Sequence, residues 1–124
     1  MAISNGTIPG SYIGQNLLED TDCDHTVETG KGSSGNMYQV LINNNANSSA
    51  VYLKLYDTTG TVTLGSSHPD FVFPCPATST RQYNFHDGLP FATGLKFLCS
   101  TVGGTGDSGD NAPAESVIVR ISIG

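Results

Sequence analysis

The chain has 124 residues, enough for one ordinary domain with a single core. Five Lys and Arg against eleven Asp and Glu give a formal charge of −6, which argues against a nucleic-acid binder or a protein docked on anionic membranes. Charged residues make up only 13% of the chain, and Gly, Ser, Thr and Asn together supply 50 of the 124 positions. Such a composition suits turn-rich all-β proteins and densely packed surfaces.

In chain order, residues 1 to 30 are polar and Gly-rich, with Ile3, Ile8, Tyr12 and Ile13 scattered through them. They read as an extended N-terminal arm that packs on a neighbouring molecule, with a first strand near 8–13 or 26–29 as the alternative. The segment SYIGQNLLEDT fits a short helix or a loose strand, and Gly14 weakens the helix. No basic start followed by an apolar run marks a secretory signal, so synthesis in the cytoplasm is expected. No apolar run is long enough for a transmembrane helix.

Residues 31 to 124 read as one β domain. Tyr38, Val40 and Ile42 alternate with polar positions, then NNNANSS connects to Val51–Tyr56, where Val51, Leu53 and Leu55 share one face and Tyr52, Lys54 and Tyr56 the other. Asp57-Thr-Thr-Gly60 is a turn. Phe71 to Phe73 lie between Pro69 and Pro74, which confines that strand to a sheet edge. Arg81, Tyr83 and Phe85 alternate up to a turn at Asp87-Gly88, and Leu95, Phe97, Cys99 and Thr101 give another strand. Gly103 to Ala114 is a flexible, exposed loop by composition. Val117, Val119, Ile121 and Ile123 line one face of the last strand. Six to eight strands without a long helix predict an all-β, antiparallel β-sandwich of jelly-roll-like or Ig-like topology.

The chemistry-bearing residues form no recognisable catalytic pattern. Asp20, Asp22 and Asp24 alternate like the start of a calcium loop, but His25 stands where that loop needs Gly and Lys31 where it needs Glu. Asp107 and Asp110 sit among glycines that organise no site, and no metal or other cofactor is assigned. His25, His68 and His86 are far apart in sequence, and a Cys23–His25 dyad lacks a third group to hold its base. Gly103-Gly104-Thr105-Gly106 lacks the Lys of a phosphate loop. Asn5-Gly6-Thr7 and Asn47-Ser48-Ser49 match the glycosylation triplet by chance in an Asn- and Ser-rich chain. Cys23, Cys75 and Cys99 read as free thiols, Cys99 as a small buried residue. An enzyme is not expected. Tyr52 and Tyr56 share one strand face, which reads either as a platform for a sugar or a protein or as a face covered by the N-terminal arm or another subunit.

The run from Gly35 to Phe97, with YQVLINNNANSSAVYLKLYD, PDFVFPCPA, RQYNF and DGLPFATGL, and the terminal VIVRI resemble a family of small virion proteins of tailed phages and prophage-like regions. In that family a vYlKlYd strand precedes a P-D-hhhP-P-A segment, an aromatic F-x-x-G-l-x-F-x-x-G-l segment and a Gly/Thr/Asp-rich loop, here Val51 to Asp57, Pro69 to Ala77, Phe85 to Leu95 and Gly103 to Ala114. The resemblance covers about two thirds of the chain and leaves out the first 30 residues. It implies a non-enzymatic β-sandwich on the capsid exterior, a decoration or cement protein. Its partners would be the major capsid protein and neighbouring copies of itself, a homotrimer being one such arrangement, and the residues available for those interfaces are Ile3, Ile8, Tyr12 and Ile13 of the arm and Tyr52 and Tyr56 of the strand face. Two other readings are a host-glycan binding module on the tail, fibre or head surface, acting through Tyr52, Tyr56 and the 103–114 loop, and a neck connector.

Overall fold

Alternation of apolar and polar side chains carries through into extended backbone at nearly every predicted strand. The computed structural model describes residues 3–7, 16–107 and 111–124. Among them are nine strands: β1 (Ile3–Thr7), β2 (Asn16–Cys23), β3 (Glu28–Lys31), β4 (Gly35–Asn43), β5 (Val51–Tyr56), β6 (Phe71–Cys75), β7 (Thr80–Phe91), β8 (Leu95–Ser100) and β9 (Val117–Ile123). They form a five-stranded sheet in the order β1-β2-β9-β4-β7 and a four-stranded sheet in the order β3-β8-β5-β6. Every strand pairing is antiparallel. The two sheets pack face to face as a β-sandwich.

The inner faces interdigitate as the alternation demands. Leu18, Val40, Ile42, Val119 and Ile121 of the larger sheet meet Val51, Leu53, Leu55, Leu95, Phe97 and Cys99 of the smaller one, all essentially inaccessible to solvent. Phe73 of β6 closes one side, its ring 5.0 Å from Tyr83 and 5.7 Å from Phe85 on β7. The Tyr83 hydroxyl donates to the Pro74 carbonyl across the same seam. Edge strand β6 accommodates Pro74 because an edge leaves a ladder position that needs no donor.

Of the two readings of SYIGQNLLEDT, the strand holds from Asn16 onward, lying between β1 and β9. Two expectations are corrected. Residues 16–30, assigned to the arm, belong to the sandwich: Leu18 and Cys23 are core residues and β3 pairs with β8. Burying those apolar side chains outweighs the weak local pattern around them. Asp87-Gly88 does not end a strand. Pairing runs from Gln39↔Asn84 to Met37↔Leu89, so residues 85–88 bulge out of β7 and the strand resumes to Phe91. Gly88 takes φ of 83°, where a side-chain carbon would press 2.9 Å from Asn36. The same irregularity reverses the alternation in β4, burying Met37 and leaving Tyr38 half-exposed.

Candidate functional site: a loop clamped over the smaller sheet

Tyr52, Lys54 and Tyr56 point away from the core, so the outer face of β5 should be wet. Instead Lys54 is 1% exposed and Tyr56 4%. On neighbouring β8, Leu98 and Ser100, which pair with Lys54 and Tyr52, are equally buried. The cover is the chain's own segment after β8. Residues 101–107 cross the face and 111–116 return to β9.

An ion pair under this loop holds it down. Lys54 Nζ lies 3.0 Å from Asp107 Oδ2 and also donates to the Gly104 carbonyl. His25 Nε2 is 2.7 Å from the other carboxylate oxygen of Asp107. The Asp107 side chain is 2% exposed. Burial pushes its carboxyl upward, but hydrogen bonds from His25, Lys54 and Ser100 outweigh it and hold the group below the ordinary carboxylate range. The Tyr56 hydroxyl shifts the opposite way, held more firmly in its neutral form first by burial and then by the Asp107 charge.

Weaker anchors complete the clamp. Thr105 Oγ1 meets His68 Nδ1 at 2.6 Å. The Thr101 amide donates to the Asn111 carbonyl at 2.8 Å. Asn47 holds the return: its Oδ1 accepts from the Glu115 amide and its Nδ2 donates to the Glu115 carbonyl. Asn44, fully buried, donates to the Ser49 and Pro76 carbonyls and accepts from Asn47. The NNNANSS connection is therefore a polar hub, and Asn47 of the glycosylation triplet is 4% exposed. The loop's glycines permit close approach, since a side-chain carbon at Gly103 would stand 3.1 Å from the Tyr52 ring.

Asp57, just past β5, accepts from the amides of Ala92, Thr93 and Gly94 at 2.8, 2.8 and 3.2 Å. Donors from Ala92 and Thr93 lead in lowering its carboxyl below the ordinary range, against a small opposing effect of burial. Asp70 in turn accepts from the Asp57 amide at 2.7 Å. The final residue of VYLKLYD thus fixes the turn FATG, and the Asp of PDFVF fixes that residue.

Of the residues singled out from sequence, Ile8, Tyr12 and Ile13 lie outside the described residues. Ile3 is on edge strand β1, 38% exposed. Tyr52 and Tyr56 are on one face as expected, Tyr52 half-buried against Gly103 and Tyr56 sealed under the loop. The Asp triplet does not converge: Asp20 turns into the sandwich, and Asp24 Oδ1 accepts the Thr26 amide. Among the described residues no group of three or more His, Cys, Asp or Glu is placed to hold a metal. Cys23, Cys75 and Cys99 are free and buried. Sequence reasoning placed Lys54 on an outer strand face, Asp107 in an unorganised loop and Asn47 in a chance triplet, and connected none of them. A signal existed for Lys54, a lone cation between two tyrosines in a chain with three lysines.

Beside His25 an open groove of about 370 Å³ is lined by Asp22, Asp24, Thr26 and residues 112–116. It presents acids, the hydroxyls of Thr26 and Ser116, and small side chains. Among the described residues, no segment covers the other sheet in this way. Its outer face presents the rows Leu17-Ser122-Gln39-Asn84 and Glu19-Arg120-Leu41-Gln82, followed by Ile118-Asn43-Thr80. Gln39, Gln82 and Asn84 are exposed. Compared with protein families, curated proteins and solved structures, the chain matches none.

Proposed function

We propose that the chain is a structural protein of a tailed-phage particle, a capsid decoration or cement protein that sits on the capsid exterior and binds major capsid protein and neighbouring copies of itself. One observation carries the reading: the residues of the motifs that resemble the phage family serve the architecture. Lys54 and Asp107 seal a loop, Asp57 and Asp70 fix a turn, and Pro74 and Tyr83 close the seam between sheets. A protein whose distinctive residues rigidify a small sandwich is suited to act by surface complementarity, with assembly raising a modest contact to useful strength.

The glycan-binding alternative is less well supported, because Tyr56 is buried beneath the chain's own loop and offers no ring face for stacking. Sedimentation of the purified chain with capsids that lack it tests the proposal. Saturable co-sedimentation with raised capsid heat resistance is expected. Absence of binding to any capsid form, together with retention on a glycan array, would overturn it.

A further inference from the structure

We infer that the outer face of the five-stranded sheet pairs with the same face of a second copy about a two-fold axis. Electrostatics carry the argument. The chain is strongly acidic, so two copies repel unless they meet where acid is scarce or compensated. Of the residues in the rows Leu17-Ser122-Gln39-Asn84, Glu19-Arg120-Leu41-Gln82 and Ile118-Asn43-Thr80, Glu19 is the only acid, and Arg120 beside it in the register binds it at 2.6 Å. Those rows are thus internally neutral while the rest of the chain holds the negative excess.

The remaining groups are self-complementary. Gln39, Gln82, Asn84 and Asn43 each carry donors and acceptors together, so a copy rotated by 180° offers partners to each. Leu17, Leu41 and Ile118 are half-buried among them and supply apolar contact without a patch large enough to compel aggregation. The smaller sheet cannot make this contact, its face being occupied by residues 101–107 and 111–116.

The size of the face sets the strength. Strands about 4.8 Å apart rising about 3.4 Å per residue give four strands of seven residues roughly 450 Å². That is below the roughly 800 Å² per partner of a standard stable complex. The pair is therefore weak in dilute solution and grows with concentration. The contact does not depend on the particle reading, although a particle would supply that concentration.

Sedimentation velocity on the full chain over a broad concentration range tests it. A monomer–dimer equilibrium is expected, weakened about ten-fold or more by Gln39→Glu with Gln82→Glu, which place uncompensated acid on the face. Both positions are exposed, so the melting temperature should stay constant and separate lost pairing from lost folding. Leu41→Cys should yield an oxidised dimer with copper phenanthroline, whereas Thr59→Cys, exposed on the other side, should not. A monomer at all concentrations, a trimer, or self-association indifferent to the two Glu substitutions would overturn the inference. A trimer would leave the particle reading standing, and a dimer that ignores capsids would leave this contact standing and sink that reading.

Discussion

On the outer face of β5 a lysine is 1% exposed and ion-paired, while on the outer face of β4 Gln39 stands open between Ser122 and Asn84. Both positions arise from the same strand alternation. They differ in what the chain does next: the segment after β8 folds back over its sheet, and no described segment folds over the other. The contrast shows that a strand's polar face becomes a second, buried polar layer when a loop supplies matching charge. A buried ion pair adds little net stability over an apolar pair, yet leaving either partner alone is costly, so it specifies where the loop must lie.

The largest expected effect comes from breaking the covered face. Lys54→Met leaves Asp107 buried without its cation and should lower the unfolding free energy by about 3 kcal/mol in urea titration. Adding Asp107→Leu should recover most of that loss. If the double variant is as unstable as the single one, the ion pair is not what secures the loop.

A second test concerns the inner side of the five-stranded sheet. Asp20 is 1% exposed, its Oδ2 has no hydrogen-bond partner among the described residues, and burial first, then the charges of Glu28, Asp24 and Asp22, push its pKa to about 6, against a hydrogen bond from the Asp22 amide. Because the folded value exceeds the ordinary 3.8, the folded state binds the extra proton, and stability is lost as pH rises from about 4 through 6. The loss approaches about 3 kcal/mol at pH 8. Asp20→Asn should regain about 1–2 kcal/mol at pH 8 and nothing at pH 4. A pH-independent difference would refute the buried-acid account.

Asp57 should behave with the opposite sign. Its folded pKa lies below the unfolded one, so its contribution is present above the unfolded value and lost as pH falls through the folded value. Asp57→Asn should cost about 1–2 kcal/mol at pH 7, measured by thermal or urea unfolding, with the difference shrinking in acid. The smallest effect belongs to the bare face, where Gln82→Ala should change stability by less than about 0.5 kcal/mol. A larger loss would mean that this face is not open.

Much of the fold was legible because alternation is local. Val51, Leu53 and Leu55, or Val117 to Ile123, declare their buried side within a few residues. β2 was legible only as a loose strand competing with a short helix, since NLLEDTDC buries Asp20 and Cys23 against strands near the other end of the chain, and its pairing with β9 joins residues about a hundred positions apart. The clamp was hidden for the same reason. Lys54 and Asp107 are separated by 53 positions and His25 and Asp107 by 82, and the loop's composition signals exposure. Asn44 and Asn47 read as turn residues and proved to be buried hydrogen-bonding hubs, a role set by the carbonyls they meet.

The sequence by itself determined the class of structure: strand period, turns at Asp57 to Gly60 and the edge character of the Pro74 strand all follow from neighbouring residues. Tertiary structure decided which polar face is covered and which is bare. That depends on where a distant loop lands, and the partner charge that draws it down becomes visible only when β5, β8 and the segment from Thr101 to Ser116 are brought together.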